Sequence, residues 1–143
     1  MEKNADHIGV SQERIDELDA IADAFFGAAS SGDMKAMAAV CAADLRVWHV
    51  RDEAYTDFSQ VVELHDKLHE MVTGWRYEIK QRFYARSGFS QQHVLHGELK
   101  DGSALRIPVS CVCTLDGDDK VHLVEEYFDP RRSPLLGWEQ ESR

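Results

Sequence analysis

"LRVWHVRDE", residues 45–53, is where the chain changes its period. Upstream, Ile15, Leu18, Ile21, Ala22, Phe25 and Phe26 recur at helical spacing, whereas here Leu45, Val47 and His49 alternate with Arg46, Trp48 and Val50. Alternation sends side chains to opposite faces of a strand, so an imidazole follows two apolar residues on the face that meets the core. A helical half therefore gives way to a stranded one here, and the new strand ends on a titratable group pointing inward.

Working back from this point, Ser11 is the expected N-cap of the first helix, and "SSGD" at 30–33 ends it. Asp33 then caps a short alanine-rich helix, Met34 to Cys41. Working forward, the strand "DLRVWHV" is followed by a loop. Asp57 with Gln60 three residues later makes an aspartate version of the capping box. It starts a third helix bearing Phe58, Val61, Val62, Leu64, Leu68, Met71 and Val72, closed by Gly74. Strands are expected over Tyr77–Arg86, Ser90–Leu99, Ala104–Leu115 and Lys120–Asp129. Their connections "RSG", "KDGS" and "DGDD" are short and carry glycine, which suits antiparallel hairpins. Pro108 marks a bulge or an unpaired position in the third of them. The pattern predicts an α+β fold, three N-terminal helices packed on a strongly curved, mostly antiparallel sheet. Such a sheet leaves a cone with an open mouth, a natural place for a pocket.

The 143 residues suit a single domain with a core over 11–135, and loosely held tails at 1–10 and 137–143. A net charge of −10 without a Lys/Arg cluster opposes binding to nucleic acid or to anionic membranes. No apolar run approaches a membrane span and "MEKNADHIGV" has no signal-peptide core, so the expectation is a cytoplasmic protein. Cys41, Cys111 and Cys113, an odd number, fit a reduced compartment and read as buried apolar thiols.

The element order αα-β-α-ββββ, the "AAxxGD" between the first two helices, the strand "DLRVWH" and the terminal "DGDDKVHLVEEYFDP" resemble the nuclear transport factor 2-like superfamily, and within it the SnoaL-like group. The resemblance covers residues 11–135 and implies the cone-shaped fold. It leaves function open, because this fold hosts isomerases, cyclases, hydrolases, dehydratases and non-catalytic binding modules. Laid over ketosteroid isomerase, a relative in the fold, the base position falls on His49, the oxyanion tyrosine on Phe25 and the oxyanion aspartic acid on Cys111. Phe25 has no donor and a thiol is a poor one, so steroid isomerisation by that route is rejected. A titratable group at the base position survives.

His49 then has two readings, a buried neutral imidazole satisfied by its neighbours or a general base of near-neutral pKa. In "QQHVLHGELK", His93 and His96 are three apart and face opposite sides, so at most one joins His49; His93 is preferred. Glu126 lies between Val124 and Phe128, on the face that the resemblance turns toward the pocket. It either orients His49 there or pairs with Arg106 or Arg82 across the sheet. Asp52, in the loop after the strand beside Arg51, either gates the mouth or is solvated. His65 and His69, one helical turn apart, lack an accompanying metal motif, and no metal site is expected. There is no Gly-x-Ser-x-Gly elbow, and Arg106 has no partner aspartates for the Asp-Arg-Asp arrangement of epoxide hydrolases of this fold.

Two functions follow. One is a cofactor-independent isomerase, cyclase or lyase acting on a small apolar carbonyl compound. His49 is its base, Glu126 the orienting group and His93 an acid or polarising donor. Phe25, Trp48, Asp52, Cys111 and Phe128 shape the pocket, Trp48 only if the strand twists. The other is a non-catalytic ligand-binding or dimerisation module. The mixed outer face of the sheet, with Arg106, Ser110, Val112, Thr114 and Tyr127, together with the resemblance, predicts a homodimer through the sheets.

Overall fold

The computed structural model describes residues 9–134, so the expected tails at 1–10 and 137–143 lie outside the described residues except for Gly9 and Val10. Helix α1, Gln12–Ser31, starts where Ser11 Oγ accepts from the Arg14 amide. It stops at Gly32, whose left-handed φ of 71° a β-carbon would strain. Asp33 accepts from the Ala36 amide and opens α2, Met34–Val40. The polypeptide passes directly into β1, Cys41–His49.

A three-residue strand, β2, Ala54–Thr56, follows, which the periodicity of so short a segment does not announce. Helix α3, Phe58–Met71, carries the expected box in full. Asp57 accepts from the Gln60 amide and the Gln60 side chain accepts from the Asp57 amide, both at 2.9 Å.

Strand β3 runs Val72–Ala85, five residues earlier than expected. Gly74 therefore does not close the helix. It sits inside the strand at φ 63°, where the pairing register slips between Thr73 and Arg76, the position of a bulge. The early start matters, because it places Trp75 and Tyr77 on one face of the same strand.

The remaining strands are β4, Gly88–Leu99, β5, Ala104–Leu115, and β6, Val121–Phe128, followed by a 3₁₀ turn over Pro130–Arg132. The six strands form one mixed sheet in the order β2-β1-β6-β5-β4-β3, with β1 and β6 parallel and every other pair antiparallel. Pro108 pairs in register with Val94, and β5 meets β6 only from Val109 onward. The missing N–H of Pro108 thus lies one residue outside that second ladder.

The main core joins α1 to the sheet: Leu18, Phe25 and Phe26 pack with Leu45, Val47, Cys111 and Val124. A smaller cluster of Val72, Leu95, Leu105 and Ile107 sits at the far end of the sheet. His69 in α3 bonds through Nε2 to the Ala29 carbonyl at 2.9 Å, tying α3 to the end of α1. Among the described residues no helix is long and apolar enough to cross a membrane.

Candidate functional site

Between the helices and the sheet lies a cavity of about 130 Å³. Its wall is mainly apolar, with Phe25, Met37, Leu45, Leu64, Leu95 and Phe128 among the lining side chains. Polar groups enter it from two parts of the sheet.

From β1 and β6 come His49 and Glu126, which stand opposite each other in the parallel register. His49 is buried, and its Nε2 lies 3.1 Å from Thr56 Oγ1. The Thr56 hydroxyl donates to the Val47 carbonyl at 3.4 Å, so its oxygen is left to accept the His49 Nε2 proton. The short strand β2 thus exists at the point where it can orient His49.

From β3 and β4 come Tyr77 and His93, whose rings meet edge to face at 4.6 Å. Burial, with the negative Glu126 nearby, pushes the Tyr77 phenol above its usual range and holds it neutral. Trp75 Nε1 approaches that phenol without reaching hydrogen-bond geometry. His93 is pushed down to about 4, first by burial and then by the charge of Arg82.

Behind His93 runs a chain of buried side chains. Gln91 Nε2 lies 2.9 Å from His93 Nδ1, and Gln91 Oε1 accepts from Arg82 Nε at 2.9 Å and Nη2 at 2.7 Å. Arg82 Nη1 reaches Asp19 and Asp23 of α1, each at 3.0 Å, and the Tyr84 hydroxyl donates to Asp19. Arg82, Gln91 and Cys111 are each no more than 2 % exposed, so all three lie behind the cavity wall.

From α3 comes His65, stacked with His69 and Trp75 and pushed down to about 4, mainly by burial.

Of the residues singled out from the sequence, His49, Glu126, His93, Phe25 and Phe128 line the cavity together. His96 faces away and pairs with Glu78 at 3.0 Å. Three others do not line it. Trp48 keeps to the outer face, where its ring lies 5.2 Å from Tyr127, because the alternation of β1 is unbroken there. Asp52 sits in the turn after β1, 3.6 Å from the Arg51 guanidinium. Cys111 is covered by the main core, its sulfur 3.6 Å from that of Cys113; that contact and burial push its thiol well above the usual range.

Glu126 does not pair with Arg82, whose guanidinium is taken by Asp19, Asp23 and Gln91. An Asp-Arg-Asp cluster is therefore present on Arg82 instead of Arg106, but none of its members lines the cavity. Sequence reasoning weighed His65 only with His69 as a metal pair, and did not single out Thr56, Trp75 or Tyr77. Only the alternation of Trp75, Tyr77 and Ile79 signalled the last pair, and the expected helix end at Gly74 hid it.

The fold is similar to several solved structures. PrhC from Penicillium brasilianum superposes with a TM-score of 0.76 at 15 % identity, over 90 % of this chain and 91 % of that one. An LEH-like epoxide hydrolase from M. tuberculosis gives 0.67 at 18 % identity, over 82 % and 86 %. A protein with a ketosteroid isomerase-like fold from Catenulispora acidiphila, in complex with trimethylamine, gives 0.66 at 17 % identity, over 76 % and 85 %. At these identities the likeness establishes the fold alone, an α+β nuclear transport factor 2-like fold. Among curated proteins none matches in sequence. The SnoaL-like domain matches residues 18–106, more than half of the 143, and the chain belongs to that family.

Proposed function

We propose that the cavity binds a small apolar carbonyl compound and moves a proton at the carbon beside its carbonyl, without a cofactor. One observation carries this reading: an apolar cavity receives His49 and Glu126 from one part of the sheet and two neutral groups, Tyr77 and His93, from another. His49 takes the proton on Nδ1, because its Nε2 proton is given to Thr56, and the negative charge of Glu126 opposite it stabilises the imidazolium that forms. Tyr77 and His93 face the carbonyl oxygen, where negative charge gathers as the C–H bond breaks. Return of the proton to another carbon gives isomerisation; attack of the carbanion within the molecule gives cyclisation; loss of a β-substituent gives a lyase.

Size limits the substrate. A cavity of about 150 Å³ holds benzene, so the inner part of this open-mouthed cavity has room for about one ring. The acidic chain and Glu126 favour a neutral compound over an anion.

The experiment is exchange of the α-protons of monocyclic enolisable ketones with deuterated solvent, followed by NMR. The expected result is exchange catalysed by the wild type and lowered by about 10²–10⁴-fold in His49→Ala, with the fold intact. Binding of a ketone without exchange supports the alternative, a non-catalytic ligand-binding module, as does His49→Ala costing about 1–3 kcal/mol of stability through an unpaired Thr56.

Two further parts of the reading concern context. The outer face of the sheet carries a row in mutual register, Phe83–Ser90–Val112–Glu125–Trp48–Tyr55. Tyr55, Phe83, Val112 and Tyr127 are each 39–50 % exposed there. This supports a homodimer through the sheets, which light scattering tests; a monomer at micromolar concentration removes it. Three buried free cysteines suit the reducing cytoplasm, within one domain spanning residues 11–135.

A further inference from the structure

We infer that Arg82 and Gln91 are positioning residues that lock His93 as a neutral imidazole with its proton on Nε2, so that His93 serves the cavity as a fixed hydrogen-bond donor and not as a proton-cycling acid. The lock deepens the proton-transfer reading, on which its catalytic meaning rests, but its geometry stands without it.

The argument is one of donors and acceptors. A guanidinium has only N–H donors, so the Gln91 atom that receives both Arg82 Nε and Nη2 must be the amide oxygen. The amide nitrogen is then the atom facing His93, 2.9 Å from Nδ1. An NH₂ group only donates, so Nδ1 must accept and carries no proton. The proton of the neutral ring is on Nε2. Among the described residues Nε2 has no hydrogen-bond partner, while the ring lines the cavity between Phe26 and Tyr77.

Every link is held from behind. Asp19 and Asp23 fix Arg82, and Tyr84 fixes Asp19. Arg82 and Gln91 are 2 % and 0 % exposed, so water does not compete for these bonds. A proton on Nδ1 would meet the amide N–H₂ head on, and the Arg82 charge lies one residue behind it. Burial and that charge act in the same sense, keeping the ring uncharged down to about pH 4. The ligand atom that meets His93 is therefore an acceptor, a carbonyl oxygen and not an ammonium.

The test uses the full-length protein labelled with ¹⁵N and reads the His93 ring by long-range ¹⁵N–¹H correlation, without any ligand. In the wild type, Nε2 is expected in its protonated position and Nδ1 in its bare position from pH 8 to pH 5. In Gln91→Glu the carboxylate still accepts from Arg82 but can only accept from His93. The proton then moves to Nδ1, or the ring charges with its titration raised by about 1–3 units. In Gln91→Leu both tautomers are expected.

A proton on Nδ1 in the wild type, a charged ring at neutral pH, or identical ring nitrogens in wild type and Gln91→Glu overturns the lock. Should neither variant fold, the wild-type spectrum alone decides. A locked tautomer without α-proton exchange refutes the proton-transfer reading only. Exchange with the proton on Nδ1 refutes the lock only.

Discussion

Helices α1 and α3 lie over the same sheet and do different work. Eight residues of α1 are buried, Leu18 and Ala22 completely; seven join the sheet in the main core, and the eighth, Asp19, bonds to Arg82 and Tyr84. Helix α3 has no fully buried residue, although Val61, Leu64, His65 and Leu68 all turn inward. The difference is what each helix faces. One is pressed against side chains; the other looks onto a cavity, so its apolar side keeps accessible surface. The scaffold is thus built by α1, and α3 is a wall of the site. Stability rests mainly on α1, which also lends Phe25, Phe26 and Ala29 to the cavity, whereas the inward side of α3 serves mostly as cavity wall.

The sharpest way to break this comparison is a matched pair of leucine truncations. Leu18→Ala is expected to cost roughly 3–5 kcal/mol, the loss of a fully packed side chain plus the void it leaves. Leu68→Ala removes the same atoms from a cavity wall and is expected to cost about 1 kcal/mol or less, while enlarging the space offered to ligand. Urea denaturation of both variants measures it. Equal costs would mean that α3 is packed as α1 is, and the division of labour would fall.

The next effect is on pH dependence, and it comes from the cavity. His65 and His93 are each lowered to about 4 from an ordinary 6.5. Both rings are neutral in the folded state, so below pH 6.5 the unfolded chain binds protons that the folded one refuses. The folded state therefore loses stability as pH falls from 6.5 toward 4, with the full contribution present above 6.5. Each histidine is expected to contribute up to about 2 kcal/mol of that loss at pH 5. Denaturation at pH 7.5, 6 and 5 gives the slope, and His65→Phe is expected to remove its own share. A slope unchanged by that substitution would mean that His65 titrates normally.

The same contrast explains what was legible in the sequence. The α1 pattern is long and strongly periodic, and its caps, Ser11 and Gly32, are local chemistry, as is the Asp57–Gln60 box. Alternation turned His49 inward and separated His93 from His96, while the resemblance chose the face of Glu126 and Phe128. Long-range partners were not legible. Arg82 meets Asp19 across 63 residues, and nothing local marks either as the anchor of His93. Thr56 depends on a three-residue strand too short for a period, and Tyr77 on a bulge at Gly74 that reads locally as a helix stop. Cys111 was placed by resemblance, and its short side chain is covered by the core before it reaches the cavity.

The smallest expected effect isolates α3 itself. The capping box at Asp57 satisfies two backbone groups at its N-terminus. Asp57→Ala is expected to cost about 1 kcal/mol. Because α3 faces a cavity, this loss should appear as local opening and not as global unfolding. Amide exchange in the first turns of α3 is then expected to rise by about fivefold, the equivalent of 1 kcal/mol, with the buried amides of α1 unchanged. A parallel rise in α1 would show that the two helices unfold as one unit, and that the wall of the site cannot move without the scaffold.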